Sequence, residues 1–309
     1  MTAGGPGRVV VAGGCGAVGA MLTAALSGDG HRVLSIDPGA PAATTGTAGA
    51  AVLPGDIAAP TRDVAAAVRA APTVILAVPD AVAVAALPAL AGLLHPEALL
   101  VETLSVKTPF AAALGTGLPD REALGINPMF APALGWAGRP VLAVRHRDGP
   151  AVGAFVDAVD RWGARVVEVG AAEHDRATAT TQALTHAVVL AFGGALDRLG
   201  PPTAATAAAP PPHVLLRALL ARIASGTPAV YHDIQVANPY AADARRALRA
   251  ALDDLDAAED PDRFAALTAR GYRALGDDRE QYRALCGELF GLLPSDLHEP
   301  NAVRNGVSP

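Results

Sequence analysis

The most constraining stretch of the sequence lies between Arg8 and Asp37. A β-branched run, Arg8–Ala12, leads into Gly14-Cys15-Gly16-Ala17-Val18-Gly19 and then an apolar helical stretch, Ala20–Leu26. A second such run, Val33–Ile36, ends directly in Asp37. In a strand–loop–helix unit, Gly14 permits the tight turn, Gly16 lets backbone approach a pyrophosphate, and Gly19 lets the helix pack on the strand. The helix start at Ala17 and Val18 offers N–H groups to phosphates. Asp37 is placed to accept hydrogen bonds from ribose hydroxyls and to repel a 2′-phosphate. No arginine follows it closely, so the expected cofactor is NAD rather than NADP. Cys15 fills a variable slot of the loop and needs no redox role.

Further runs of the same kind, Ala51–Leu53, Val74–Val78, Leu99–Thr103, Val141–Val144 and Val166–Val169, alternate with Ala/Leu-rich helical stretches. Apolar runs separated by helices indicate a parallel sheet covered on both faces. Beyond Ala171 the β signal stops. Ala177–Leu199 reads as a long buried helix and Val214–Ala224 as another, with a loop over Gly200–Pro212 between them. Asn238-Pro239 looks like a cap before a helix carrying Leu248, Leu252 and Leu255. Two more helices are expected near Pro261–Leu275 and Asp278–Leu292. The expected fold class is therefore α/β, a Rossmann-type doubly wound parallel sheet followed by an all-helical dimerisation domain. The expected boundaries are 1–169, 170–293 and a loose tail over 294–309. Pairing of the helical part into a homodimer is a prior from exposed apolar faces.

Composition narrows the function. With 24 Lys+Arg against 30 Asp+Glu and 4% aromatic residues, nucleic-acid binding is not expected. Two cysteines, Cys15 and Cys286, supply neither a disulfide framework nor a zinc site, so no metal is expected. The apolar start, Val9–Leu26, is broken by glycines and lacks a basic leader, and the run Ala81–Leu94 is short and holds Pro88. A soluble, cytoplasmic protein acting on a small molecule is expected. Lys107 is the only lysine, and Asn127 and Asn238 are the only asparagines before the tail. In a chain rich in Ala, Gly, Pro and Arg, such exceptions mark functional candidates.

Three later segments carry chemistry: Ser105-Val106-Lys107 beyond the fifth strand, the proline-bracketed turn Gly125–Pro132, and Glu173-His174-Asp175 at the mouth of the long helix, with Gln182 and His186 further in. Together with the glycine loop, "WGARV", "QALTH" and "ARIASGTPAVYHDI", they resemble the prephenate dehydrogenase family, in the same order from about Val9 to Leu293. The resemblance implies oxidative decarboxylation of a cyclohexadiene acid. It places Ser105 beside the nicotinamide and the C4 substituent, and His186 towards the substrate side chain. It makes Arg222 the clamp on the ring carboxylate, a bidentate task for a guanidinium. Lys107 is expected to hold its loop or the anionic substrate, with Gln182, Gln235 and Asn238 as further contacts. Glu173, His174 and Asp175 read as an acidic helix start.

One position departs from the family. The "HPMF" histidine, which assists loss of the C4 hydroxyl proton, is Asn127 here. An amide accepts a hydrogen bond but is no base near neutral pH. A neutral amine at C4 expels hydride from its own lone pair, and loss of CO₂ then neutralises the iminium. The expected substrate is thus 4-amino-4-deoxyprephenate, giving 4-aminophenylpyruvate as an antibiotic precursor. The competing expectations are an ordinary prephenate or arogenate dehydrogenase, and a degenerate, non-catalytic NAD-binding regulator. The β-hydroxyacid dehydrogenases are disfavoured because the helical part has no lysine.

Overall fold

The computed structural model describes residues 7–40, 46–200 and 208–293. The tail over 294–309 and most of the 200–212 loop lie outside the described residues. Two compact units emerge, one of Met1–Thr180 with Ala229–Tyr240, the other of Thr181–Pro228 with Ala241–Pro309. They do not part at residue 169. The helix after the sheet stays with the first unit because its Asp175 accepts from the backbone N–H groups of Lys107 and Thr108.

The first unit runs β1 (Arg8–Ala12), α1 (Ala17–Gly28), β2 (Arg32–Asp37), β3 (Ala51–Pro54), α2 (Arg62–Arg69), β4 (Thr73–Leu76), α3 (Asp80–Ala91), β5 (Leu99–Glu102), α4 (Thr108–Gly117), β6 (Ala123–Pro128), β7 (Pro140–Arg147), α5 (Pro150–Arg161), β8 (Arg165–Glu168) and α6 (Ala171–Thr178). The sheet order is β3-β2-β1-β4-β5-β6-β7-β8. The first six strands are parallel, the doubly wound arrangement that places ligands at the strands' C-terminal ends. β7 returns antiparallel to β6, and β8 runs parallel to β7. Val10, Val74, Leu76 and Leu100 face one core with α2, α3 and α4, while Val9, Val11, Ile75 and Val101 face the other with α1 and α5. That alternation makes the β-branched runs apolar throughout.

Gly125–Pro128 is not a turn but the end of β6, so Asn127 sits on a rigid strand, in register with Leu142 of β7. Glycine interrupts the β pattern for a packing reason: a Cβ at Gly125 would lie 2.1 Å from Glu102 Oε1 and 2.9 Å from His146 Nε2. Gly125→Ala should therefore cost about 1–3 kcal/mol by overpacking, read as a lowered denaturation midpoint. An unchanged midpoint would refute the close approach.

Beyond α6, a π turn (Ala179–Ala183) leads into α7 (Leu184–Leu199), followed by α8 (Pro211–Ala224), α9 (Pro228–Val236), α10 (Ala241–Asp256), α11 (Pro261–Ala274) and α12 (Arg279–Gly291). Within the second unit α7 packs on α8 and α10. Gly193 permits this, since a Cβ there would lie 2.8 Å from Leu220. Only Val189 of α7 is buried, so the expectation of a buried helix fails within one chain. Leu252, Phe264, Tyr282 and Leu285 are exposed as well. By length and composition alone, the helix Ala171–Leu199 could cross a membrane. Its first part packs on α4 and carries the buried His174 and Asp175, and its second part packs on α8 and α10.

Candidate active site

The glycine loop has the shape its sequence predicts. Gly13 turns at φ +81, where a Cβ would strike Ala77 O at 2.1 Å, and a Cβ on Gly19 would lie 2.1 Å from Gly13 O. The helix α1 opens after Gly16 without a side-chain cap, leaving its first N–H groups to an anion. At the end of β2, Asp37 accepts from Cys15 N and Gly39 N, both at 3.3 Å, so its carboxylate borders the loop. The Cys15 thiol is pushed up by burial and by Asp37, which disfavours a reactive thiolate. These groups fit a dinucleotide with free ribose hydroxyls.

Beyond β5, five successive backbone N–H groups end on three carboxylates. Leu104 N donates to Glu102 Oε2 at 2.7 Å. Ser105 N and Val106 N donate to Asp80 at 3.4 and 3.2 Å. Lys107 N and Thr108 N donate to Asp175 at 2.8 Å each. Asp175 thereby caps α4 from a distance, where negative charge suits the helix dipole. The half-buried Ser105 side chain is held on a backbone with no slack.

Lys107 is not a substrate ligand. Its side chain is 0% exposed, with Nζ 2.6 Å from Glu102 Oε2 and 3.0 Å from Ile126 O. Glu102 also meets His146 Nε2 at 2.8 Å. Burial alone would raise the Glu102 carboxyl, but Lys107 and His146 override it and hold it below the usual range. The lysine therefore braces the Ser105 loop against the strand that carries Asn127.

Asp80 differs. Burial, then the facing Asp233, push its carboxyl up to about 7, against the pull of Lys107, with Glu102 adding to the rise. Because the folded-state value exceeds the unfolded one, its favourable contribution is complete at low pH and is lost as pH rises through 7. Asp80→Asn should thus gain on the wild type by about 1–4 kcal/mol as pH rises from about 4 to 7, and no further above that. Parallel stability–pH curves from urea melts would refute this.

At the end of β6, the buried Asn127 puts Nδ2 3.1 Å from His174 Nε2, and His174 Nδ1 lies 2.8 Å from Asp175 Oδ1. His174 and Asp175 are both buried, so the acidic-helix-start reading of Glu173–Asp175 is overturned for these two. Burial, aided by the Lys107 charge, holds the imidazole below its usual value despite Asp175. Hydrogen bonds from His174, Thr108 and Lys107 hold Asp175 low against burial. The signal was an adjacent His–Asp pair, and its partners lie far away in sequence. Asn238 spends its polar atoms on the fold: Nδ2 donates to Asp175 O at 2.8 Å and Thr178 Oγ1 at 3.1 Å, and Oδ1 accepts from Tyr240 N.

Gln235 is half-buried on α9. In the second unit, Gln182 lies in the π turn, a feature frequent at functional sites, and His186 is half-buried on α7. Arg222 lies exposed in the last turn of α8. Burial first, then the Arg222 charge, keep His186 below its usual value, so it is neutral at pH 7. No cluster of His, Cys, Asp and Glu suited to a metal occurs among the described residues.

The parallel sheet and its glycine loop define a dinucleotide-binding fold joined to a helical one, and comparison with known proteins sharpens this. Residues 170–270 match the family profile "Prephenate dehydrogenase, dimerization domain". A 4-amino-4-deoxyprephenate dehydrogenase from Streptomyces pristinaespiralis is 48% identical over 291 residues, 93% of this chain and 97% of the relative. Among solved structures, prephenate dehydrogenase from A. aeolicus, in complex with hydroxyphenyl propionate and NAD+, matches with TM-score 0.65 at 16% identity, covering 94% of this chain and 100% of that one. Synechocystis arogenate dehydrogenase matches with TM-score 0.65 at 19% identity, over 89% and 99%. The chain belongs to the prephenate dehydrogenase family.

Proposed function

We propose that the chain catalyses NAD-dependent oxidative decarboxylation of 4-amino-4-deoxyprephenate to 4-aminophenylpyruvate, as a cytoplasmic homodimer that supplies an antibiotic precursor. The observation that carries this reading is Asn127, a carboxamide where a C4 alcohol would call for a base. The 48% identical relative bears the name of this activity and comes from a Streptomyces. The exposed apolar residues of α10 to α12 and the matched dimerization profile support pairing of two chains. Two free thiols suit a reducing compartment.

Gly14, Gly16, Ala17, Val18 and Gly19 hold the pyrophosphate, and Asp37 the adenosine ribose. NAD, when bound, supplies the acceptor for the hydride that leaves C4. Asn127 Oδ1 accepts from the C4 amine, whose N–H becomes a stronger donor as positive charge grows on nitrogen. That bond is tighter in the transition state than in the ground state, which is what accelerates a reaction. The C4–H bond supplies the hydride, the nitrogen lone pair forms the C=N bond, and the C1 carboxylate leaves as CO₂. Its bonding electrons enter the ring and leave a neutral aniline. The substrate reacts as the free amine, its ammonium having first lost a proton to water, while neutral His186 serves the side-chain end. Ser105 orients the C4 substituent, Arg222 clamps the ring carboxylate, and Gln182 and Gln235 line the substrate side chain.

Steady-state NAD reduction with the amino and hydroxy substrates tests this directly. The amino compound should be preferred by about 10²-fold or more, the lower end of what general-base assistance is worth. Equal or better turnover of prephenate would return the enzyme to the ordinary prephenate or arogenate class. Tight NAD binding without turnover of either would mark a regulator.

A further inference from the structure

An amide is chemically two-faced: one end only donates and the other only accepts. Which end meets the substrate decides whether position 127 welcomes or repels a developing cation. Asp175, ionised, can only accept, so the proton between it and the imidazole sits on Nδ1, 2.8 Å away. A neutral ring then has a bare lone pair at Nε2. The atom 3.1 Å from that lone pair must be the Asn127 NH₂, and Oδ1 is turned away from the ring. Asp175 is itself fixed by the backbone N–H groups of Lys107 and Thr108 at 2.8 Å. Asn238 holds the Asp175 carbonyl and Thr178, which sets α6 in place. Each polar atom along this line has one assignment only.

We infer that His174 and Asp175 are positioning residues that fix the polarity of the Asn127 amide, presenting its oxygen as the acceptor that selects an amino over a hydroxyl group at substrate C4. The selectivity clause rests on the proposed function; the orientation clause does not. With the amide reversed, NH₂ would face a nitrogen gaining positive charge, and the stabilisation would become repulsion. A hydroxyl gains less from the same oxygen, because its proton must leave and an amide cannot take it. Neither His174 nor Asp175 touches the reacting atoms; both act through Asn127.

Two measurements test this. In the full-length protein without ligand, 15N spectra of labelled histidine and asparagine should show His174 protonated at Nδ1 and bare at Nε2 over about pH 6 to 8. The Asn127 side-chain N–H should be bonded to Nε2. In H174L, kcat for 4-amino-4-deoxyprephenate should fall about 10–100-fold, the worth of a lost buried hydrogen bond, with KM changed less than about threefold. H174Q offers Asn127 an acceptor and Asp175 a donor, and should regain most of the loss. A protonated Nε2 overturns the inference. So does an H174L that keeps its kcat and its amino-to-hydroxy ratio, or an H174Q as impaired as H174L. A wild type that prefers prephenate refutes the proposed substrate instead, and the amide's orientation is then decided by the spectra alone.

Discussion

Lys107→Met should destabilise the protein by about 3–5 kcal/mol, the cost of stranding one member of a buried ion pair. The side chains of Lys107 and Glu102 are 0% and 1% exposed, so water cannot replace the lost ammonium. Glu102 would keep only His146 and the Leu104 N–H. In the wild type its carboxyl is held low, so its stabilising contribution is present above the unfolded value near 4.3 and fades as pH falls below it. Without Lys107 the sign reverses: burial dominates, the carboxyl takes a proton, and the variant should be less impaired at low pH than at pH 8. Adding Glu102→Gln should restore much of the stability, because both charges are then gone. Denaturant titrations at two pH values check this, and a loss under about 1 kcal/mol, typical of an exposed pair, would show the lysine to be solvated. Activity should fall further than stability alone accounts for. Lys107 Nζ also binds Ile126 O, and Ile126 precedes Asn127.

What the sequence betrays and what it hides divide along a physical line. Runs buried on both sheet faces must be apolar throughout, so β1, β2, β4 and β5 are readable from Val, Ile and Leu. β6 is hidden because the Glu102 carboxylate demands a glycine at 125, and Pro128 ends the strand. β7 and β8 show as strands, yet nothing in their composition encodes that they run against the first six. The glycine loop is legible since its function resides in local backbone geometry. The carboxylates behind Ser105 and Asn127 are not, because their meaning comes from partners across the fold. Asp175 is paired with Lys107 and Thr108, more than sixty residues earlier. Glu102 left one clue: a charge closing an apolar strand needs a partner, and the chain's single lysine follows it closely. The exposed leucines of α10 and α12 are legible as amphipathic faces, but what covers them is not written in one chain.

Asn127→His should raise kcat/KM for prephenate by about 10²–10⁴-fold, the usual worth of a positioned general base. The site behind position 127 is already suited to it. His174 Nε2 carries a lone pair, so an imidazole at 127 would donate its own N–H to that atom and turn its second nitrogen, unprotonated, outward. Asp175 and His174 would then orient the new ring as they orient the amide, in the manner of a base held by a second residue and a carboxylate. The outward nitrogen can take the C4 hydroxyl proton as hydride departs, which the amide oxygen cannot. Turnover of the amino substrate should fall in the same variant at low pH, where the ring is protonated and its N–H would face a nitrogen gaining positive charge. The kcat/KM–pH profile for prephenate should gain an ascending limb near the imidazole range, about 6 to 7, which the parent lacks. Side-by-side kinetics with both substrates over that range decide the matter. If prephenate turnover stays flat while the variant folds and binds NAD, position 127 does not face the reacting carbon, and the amide loses its role in choosing the substrate.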